Sequence, residues 1–233
     1  MSAASTTVAS SRIRQKRSQK TFDALISTAF KLLEEREFDE ISIAELAQKA
    51  GYSVGAFYAR FKSKDELFDA MVVRHAEDRR AVRQRQFAAE PGDSFIAEII
   101  DETVHYYWER RRFWRAALIR SIRDPDFWQP LRKLGHEFAD ALIARMGARA
   151  ERALTGAEET NVRFAVQLAL GTINNTIINR PGPIFMGQAL FIENLTRAFR
   201  LVSGWDALVA RPRATASHSR RAAAGRRRGA RER

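Results

Sequence analysis

The sequence predicts an all-α fold. Apolar residues recur at helical spacing along most of the chain, and no segment shows the alternation of a strand. Serine caps and glycine or proline breaks separate the periodic segments. The first helix is predicted from about Ser18 to Arg36, because one face of this segment is apolar and must be buried. That face consists of Phe22, Leu25, Ile26, Ala29, Leu32 and Leu33.

Further helices are predicted after this first one. Ser42 and Ser63 each have a glutamate three residues on, which is typical of a capping box, and Gly51 suits the left-handed residue that closes a helix. Breaks follow at 91–92, 124–125, 155–156 and 180–183. The periodic segments predict helices over about 42–50, from 53, and over 63–89, 94–111, 113–123, 126–148, 157–179 and 184–204.

The positive charge is concentrated at the two ends of the chain. The 233 residues have a formal net charge of +12. Residues 1–20 hold five cations and no acid, and residues 210–233 hold nine arginines and one glutamate, so the body between them is near neutral. We expect a basic flexible arm over 1–17 and a disordered arginine-rich tail over 206–233, either of which can meet a polyanion.

Several classes of protein are disfavoured by composition. The absence of cysteine excludes a disulfide scaffold, a thiol nucleophile and a thiolate metal site. The longest uncharged run in the body, 164–179, is too short and too polar to span a bilayer, and the N-terminus lacks the apolar core of a secretory signal. We therefore expect a cytoplasmic protein without a membrane partner. The suggestive metal spacing Glu102-x-x-His105 lacks the second such motif that a di-iron bundle needs, so no metal, cofactor or catalytic residue is predicted.

The most informative stretch is residues 41–68, ISIAELAQKAGYSVGAFYARFKSKDELF. Two short helices flank a tight turn at Gly51-Tyr52, and Ala47 is small where the helices would cross. The residues expected to face inward are Ile43, Leu46, Ala50, Val54, Phe57 and Phe61. This is a helix-turn-helix pattern, whose second helix is expected to enter the major groove of DNA.

Over about residues 18–68 the chain resembles the TetR/AcrR family of bacterial transcriptional regulators. The resemblance rests on the apolar first helix, the 42–47 run, Ala50-Gly51, the 53–55 run, Phe57-Tyr58 and the 61–67 run. It implies an all-helical homodimer with an N-terminal DNA-binding domain and a C-terminal ligand-binding and dimerisation domain. The corresponding expected bounds are 18–62, a connecting helix over 63–89, and 90–205. The chain departs from the family at Glu37, usually a glycine, and at Arg60, often a histidine.

The resemblance also implies contacts with double-stranded DNA. Phosphate contacts are expected from Tyr58, Arg60 and Lys64, although a half-buried aromatic ring and solvated charges are the alternatives. The caps Ser42 and Ser53 can also meet phosphate at their helix N-termini. Base reading is expected from the outward face of the second helix of the helix-turn-helix, which consists of Tyr52, Gly55, Ala56 and Ala59. Arg14 and Arg17 are expected to follow the phosphate backbone of the DNA or to enter its minor groove. The alternative is that they belong to a solvated tail.

The second half is rich in aromatic residues. They form either plain core or a pocket for a small, largely apolar effector of unknown identity. Three roles are open for the polar pair Asn174 and Asn175: to orient that ligand, to fix the register of an interface, or to be a buried pair whose hydrogen bonds are made inside the protein. The pocket candidates are Tyr106, Tyr107, Trp108, Trp114, Phe127, Phe138, Phe164, Asn174 and Asn175. Long apolar faces in the last two helices, including Ile173, Ile177, Leu195 and Phe199, indicate a homodimer.

These expectations combine into a sequence-specific DNA-binding regulator, a repressor that a ligand releases from its operator. The alternatives are an architectural protein that binds DNA through its basic tails without sequence preference, and an all-α enzyme. An acidic patch over 34–40 and a basic stretch over 110–133 suggest one further contact. Arg120 and Arg123 would meet the patch and couple the two domains. The alternatives are that the patch and the stretch are both solvated faces, or that the stretch attracts an anionic ligand.

Overall fold

The computed structural model describes residues 3–88 and 94–209, with side chains from residue 16 to residue 208 outside the gap. The regular structure of this part of the chain is helical throughout, which confirms the predicted fold class. The helices are α1 (Ala3–Leu33), α2 (Ile43–Lys49), α3 (Val54–Tyr58), α4 (Lys64–Ala88), α5 (Phe95–Glu109), α6 (Arg111–Arg123), α7 (Gln129–Arg149), α8 (Gly156–Asn179), α9 (Ala189–Ser203) and α10 (Trp205–Val209), with 3₁₀ turns at Phe38–Glu40 and Pro125–Trp128.

The first helix is longer than predicted. It begins at Ala3 rather than near Ser18, so it takes the place of the flexible arm expected over 1–17. Residues 3–17 contain neither proline nor glycine, and nothing in them interrupts a helix. The apolar face is as predicted: Leu25, Ile26 and Ala29 are fully buried.

Helices α2 and α3 form the expected helix-turn-helix on α1. Ser42 Oγ accepts the backbone N–H of Glu45 at 3.1 Å, and Ser53 Oγ accepts that of Ala56 at 3.2 Å. Gly51 has a φ of +79°, which confirms its role in closing α2. One inward assignment is wrong: the side chain of Val54 is 41% exposed. Val54 is the first residue of α3, and it lies at the exposed start of this helix between Ser53 and Gly55, which are exposed as well.

Helix α4 runs unbroken from the helix-turn-helix into the C-terminal helices, where it packs against α7 and makes side-chain contacts with α5 and α6. The most extensive helix pair is α8 with α9. Here a second expectation is wrong: Ile173, Leu195 and Phe199 are buried between helices of the same chain rather than presented to a partner. No helix within the described residues is long and apolar enough to cross a membrane.

The end of the described chain also differs from expectation. Trp205 is buried against Phe95, with ring centroids 5.7 Å apart, and it begins α10. Residues 206–209 are therefore helical and not part of a disordered tail. The remainder of the predicted tail, 210–233, lies outside the described residues.

Candidate functional site

The outer surface of α3 is small and apolar. Gly55 and Ala59 are exposed, while Tyr52 and Ala56 are half-buried at its edge. A methyl group built on Gly55 would meet only the Ser53 hydroxyl, at 3.8 Å, so the fold itself does not require a glycine there. The sequence-predicted base-reading residues therefore share one surface that a flat partner can approach closely.

Tyr58 stands at the end of α3 as predicted. It is 55% exposed, whereas Phe57 beside it is fully buried. The two rings meet edge to face, with centroids 5.5 Å apart. The buried phenylalanine fixes the helix, and the tyrosine is left free to reach beyond it.

Arg60 joins α3 to α1. Its Nε donates to the carbonyl of Ser18 at 3.3 Å, and its Nη1 donates to that of Ala59 at 2.9 Å. On α1, Arg17 and Lys20 are exposed within a turn of Ser18. The side chain of Arg14, also assigned to this arm, lies outside the described residues.

Lys64 does not present its charge to the outside. Its Nζ donates to the carbonyls of Phe38, Ile41 and Asp39, at 2.8, 3.0 and 3.3 Å, and lies 4.6 Å from the centroid of the Phe38 ring. Burial lowers the pKa of this ammonium group, and the nearby Asp39 and Asp65 oppose the change. Because all three N–H bonds are used, the phosphate contact expected of Lys64 is not supported.

Lys64 points inward because of contacts with residues that are distant in the sequence. The 3₁₀ turn at Phe38–Glu40 and the residue after it point three carbonyls at the start of α4, which no local pattern reveals. Lys62, two residues earlier, is exposed in the turn between α3 and α4, and its backbone N–H donates to the carboxylate of Glu66. Lys62 is not among the phosphate contacts expected from the sequence, and its exposure in the structure makes it a candidate for one.

The C-terminal helices enclose a cavity of about 770 Å³. Of the predicted pocket residues, Tyr107, Trp114, Phe138 and Asn174 line it. The Tyr107 and Trp114 rings are stacked, with centroids 4.0 Å apart, and form a flat aromatic wall. Tyr106 lines an adjoining cavity of about 390 Å³.

The other four predicted pocket residues lie elsewhere. Phe127 is buried against Phe68, and Trp108 lines a small surface pocket beside Arg111. Phe164 is 52% exposed, and Asn175 is exposed and accepts a hydrogen bond from Asn179. Phe164 and Asn175 are eleven residues apart, about three helical turns, so they share the outer face of α8.

A polar row on α4 also lines the larger cavity and forms its polar wall. His75, Arg79 and Arg83 follow one another at four-residue spacing and all line it. Arg79 makes a two-pronged ion pair with Glu102, at 2.6 and 2.8 Å. The regular spacing of these residues along α4 is the sequence signal that could have identified this wall.

Burial shifts the pKa values of two side chains in this polar wall. His75 Nδ1 and the Tyr106 hydroxyl are hydrogen-bonded at 2.8 Å, and burial, with the charges of Arg79 and Arg110, lowers the pKa of His75 to about 3. Burial also lowers the pKa of Arg83 to about 10, and Arg79 adds to the effect. Near neutral pH the imidazole is thus uncharged and the guanidinium is charged.

Two arginines of α6 connect this domain to the rest of the chain. Arg120 pairs with Asp65 at 3.0 Å and with Asp69 at 2.9 Å, both on α4, and not with the acidic patch over 34–40. Arg112 reaches that patch instead: it donates to the carbonyl of Glu34 and lies 3.8 Å from the Glu37 carboxylate. A contact between the basic stretch and the patch exists, but Arg112 makes it.

These features define a helix-turn-helix protein with a second, cavity-bearing helical domain. A model of the bacterial regulatory proteins of the tetR family matches residues 25–71. The HTH-type transcriptional regulator YwcC of Bacillus subtilis, itself uncharacterized, is 43% identical over 47 residues. That match spans 20% of this chain and 21% of the relative. The N-terminal domain of this chain is therefore similar to that of the TetR family of bacterial regulatory proteins.

Solved structures extend the likeness to the whole fold. A structure from Mesorhizobium loti assigned to this family has a TM-score of 0.63 and 18% identity, over 82% of this chain and 98% of that one. A tetR-family regulator from Streptomyces coelicolor has a TM-score of 0.57 and 22% identity, over 82% of each chain. RolR in complex with resorcinol has a TM-score of 0.55 and 19% identity, over 85% of this chain and 97% of its own. At these identities the comparisons establish the fold alone.

Proposed function

We propose that this chain is a homodimeric, sequence-specific DNA-binding repressor that a small molecule releases from its operator. One observation carries the proposal: α4 begins at the helix-turn-helix and, further along, forms the polar wall of the 770 Å³ cavity. A ligand that favours one position of α4 therefore acts on the placement of α3. Only a difference in ligand affinity between the two positions can shift the equilibrium.

The helix-turn-helix supplies the DNA interface. Gly55 and Ala59 let α3 approach base edges closely, and an alanine methyl can meet a thymine methyl. Tyr58 and the exposed cations Arg17, Lys20 and Lys62 lie around this surface and supply backbone contacts. In this arrangement Arg60 and Lys64 brace the domain, and the flanking residues hold the DNA.

The outer faces of α8 and α9 supply the dimer interface. Phe164 on α8 and Leu190 and Leu201 on α9 are at least half exposed, and Leu201 is 81% exposed. Leu190, Asn194, Arg197 and Leu201 follow a spacing of four, three and four residues along one face of α9. Two copies joined there by a twofold axis would present two copies of α3 to a palindromic operator.

The contacts of Arg120 connect the cavity domain to α4. Its two ion pairs hold the C-terminal part of α6 against the first two turns of α4, next to the helix-turn-helix. Trp114, on the same α6, lines the cavity. A ligand that moves Trp114 can therefore move the start of α4 through one rigid helix.

Selection of bound duplexes from a random DNA library by the full chain tests this proposal. We expect enrichment of a palindrome with half-sites about one helical turn, or a multiple of it, apart. Affinity for the selected DNA should exceed that for random DNA of equal length by about 10³ or more at physiological salt. Tight binding without enrichment would instead favour the architectural alternative, in which the basic ends bind DNA of any sequence.

A further inference from the structure

The larger cavity carries more positive charge than its surroundings neutralise. Four arginines line it, Arg79, Arg83, Arg132 and Arg163, and no aspartate or glutamate is among the lining residues in the described part of the chain. Glu102 pairs with Arg79, and Asp140 pairs with Arg163 at 2.7 Å. Among residues 16–88 and 94–208, no carboxylate lies within 4.0 Å of the guanidinium of Arg83 or Arg132, although Glu102, which pairs with Arg79, acts on Arg83 at longer range.

Arg83 is held in place by neutral groups. Its Nη2 donates to the Thr103 hydroxyl at 2.8 Å, its Nη1 donates to the Gln86 amide oxygen at 3.3 Å, and its guanidinium carbon lies 4.1 Å from the centroid of the Phe138 ring. A guanidinium has five N–H donors, so three remain for another acceptor. Since a charge that is largely removed from water is costly unless it is paired, this site is electrostatically suited to an anion.

Two residues that line the cavity, His75 and Trp114, each carry a buried donor that lacks an acceptor. His75 Nε2 and Trp114 Nε1 have no hydrogen-bond partner among the described residues, and both side chains are about 98% buried. If the Tyr106 hydroxyl donates to Nδ1 of the neutral His75, its Nε2 carries the proton, so both atoms are donors. Both nitrogens are themselves covered by neighbouring atoms, so they make the wall behind the cavity surface more polar but do not open directly onto the cavity.

The rest of the lining is apolar and in part flat. The stacked Tyr107 and Trp114 rings form one wall, and Leu131, Val166 and Leu170 contribute aliphatic surface. Rings stack well against such a wall. A volume of about 770 Å³ is within the range of small-molecule sites.

We propose that the cavity binds a small organic anion, a carboxylate on an aromatic or other apolar body, whose carboxylate is held by Arg83. This inference rests on the proposed function and names its ligand class. It also revises the largely apolar effector that the aromatic residues alone suggest. A carboxylate matches the fork of a guanidinium, and the remaining apolar body fits the aromatic and aliphatic walls.

The test compares charged and neutral ligands of equal shape on the full chain. Benzoate, 2-naphthoate and octanoate are each titrated by calorimetry beside the corresponding primary amide at pH 7. We expect at least one carboxylate to bind about tenfold or more tightly than its amide, the difference of one charge-assisted contact. If no carboxylate of the panel binds more tightly than its amide, the inference is overturned.

A matched pair of variants assigns that preference to a residue. Arg83→Met should remove the preference for the carboxylate, whereas Arg85→Met should keep it, because Arg85 is exposed on another face of α4. Arg83→Lys retains the charge and should keep most of the preference, which separates charge from loss of folding. A preference that survives in a folded Arg83→Met protein would overturn the role of Arg83.

None of these titrations involves DNA. A failed carboxylate preference together with successful operator selection would refute the ligand class and leave the proposed regulator standing. A carboxylate preference without operator selection would refute the proposed regulator and leave the ligand class standing.

Discussion

Replacement of Lys64 by methionine separates two roles for this residue. Methionine keeps much of the aliphatic stem but removes the ammonium group that donates to the carbonyls of Phe38, Asp39 and Ile41. A hydrogen bond to a charged group contributes about 1.5–3 kcal/mol. The three bonds share one half-buried ammonium, and water replaces part of them, so we expect the free energy of unfolding to fall by about 2 kcal/mol in total. For a chain of this size that lowers Tm by about 4–8 °C.

Lys62→Met is the matched control, because the side chain of Lys62 is exposed two residues earlier. It should change the free energy of unfolding by less than about 0.5 kcal/mol. It should instead lower the salt dependence of DNA binding, by about 0.9 in the logarithmic slope for each phosphate that is no longer neutralised.

The assay is chemical denaturation of both variants, combined with salt titrations of DNA binding. The assignment would be refuted if Lys64→Met were as stable as wild type and its salt slope were smaller by the value of one phosphate. In that case Lys64 would hold DNA, as the resemblance to the family implies, and its internal hydrogen bonds would be dispensable.

Three further predictions follow from the packing. Leu201→Asp should convert a dimer of twice 26.5 kDa into monomers in light scattering, whereas Ile122→Asp, at an equally exposed position on α6, should not; a dimer that persists in Leu201→Asp excludes this face. Arg120→Gln should cost less than about 2 kcal/mol in denaturation, because its partners are largely exposed, yet should alter ligand-induced release of DNA; unchanged release would remove it from the coupling. The pKa of His75 is lowered to about 3 in the folded chain, so the unfolded chain binds the proton more readily, and stability is lost as pH falls from about 6.5 toward 3. His75→Phe should flatten this decline by up to roughly 1.4 kcal/mol per pH unit in acid denaturation, and an unchanged slope would contradict the assignment.

Local signals are sufficient to predict the helix-turn-helix. The caps at Ser42 and Ser53 and the left-handed Gly51 are each decided by residues within three or four positions, and all lie where the sequence predicts them. The same local rules do not find the start of α1. Ser18 is a residue type that often begins a helix, but nothing upstream of it stops one.

Positions that depend on distant contacts are predicted less well. Lys64 lies where the resemblance requires, but its direction is set by carbonyls more than twenty residues away in the chain. Residue type alone assigns Phe164 and Asn175 to the pocket, and only the packing of α8 shows that they face outward. Conversely, Arg83 on α4 and its hydroxyl partner Thr103 on α5 meet only once the helices are packed, so neither segment alone identifies the cationic wall.

The most direct test of whether α3 reads DNA sequence is an affinity ratio. It compares selected operator with random DNA of equal length at physiological salt, for wild type and for Gly55→Leu, a change at an exposed position where a Cβ meets only the Ser53 hydroxyl. The wild-type ratio should be about 10³ or more, and Gly55→Leu should bring it close to one while the free energy of unfolding stays within about 1 kcal/mol of wild type. A wild-type ratio near one, or a full ratio retained in Gly55→Leu, would show that α3 does not read the DNA sequence.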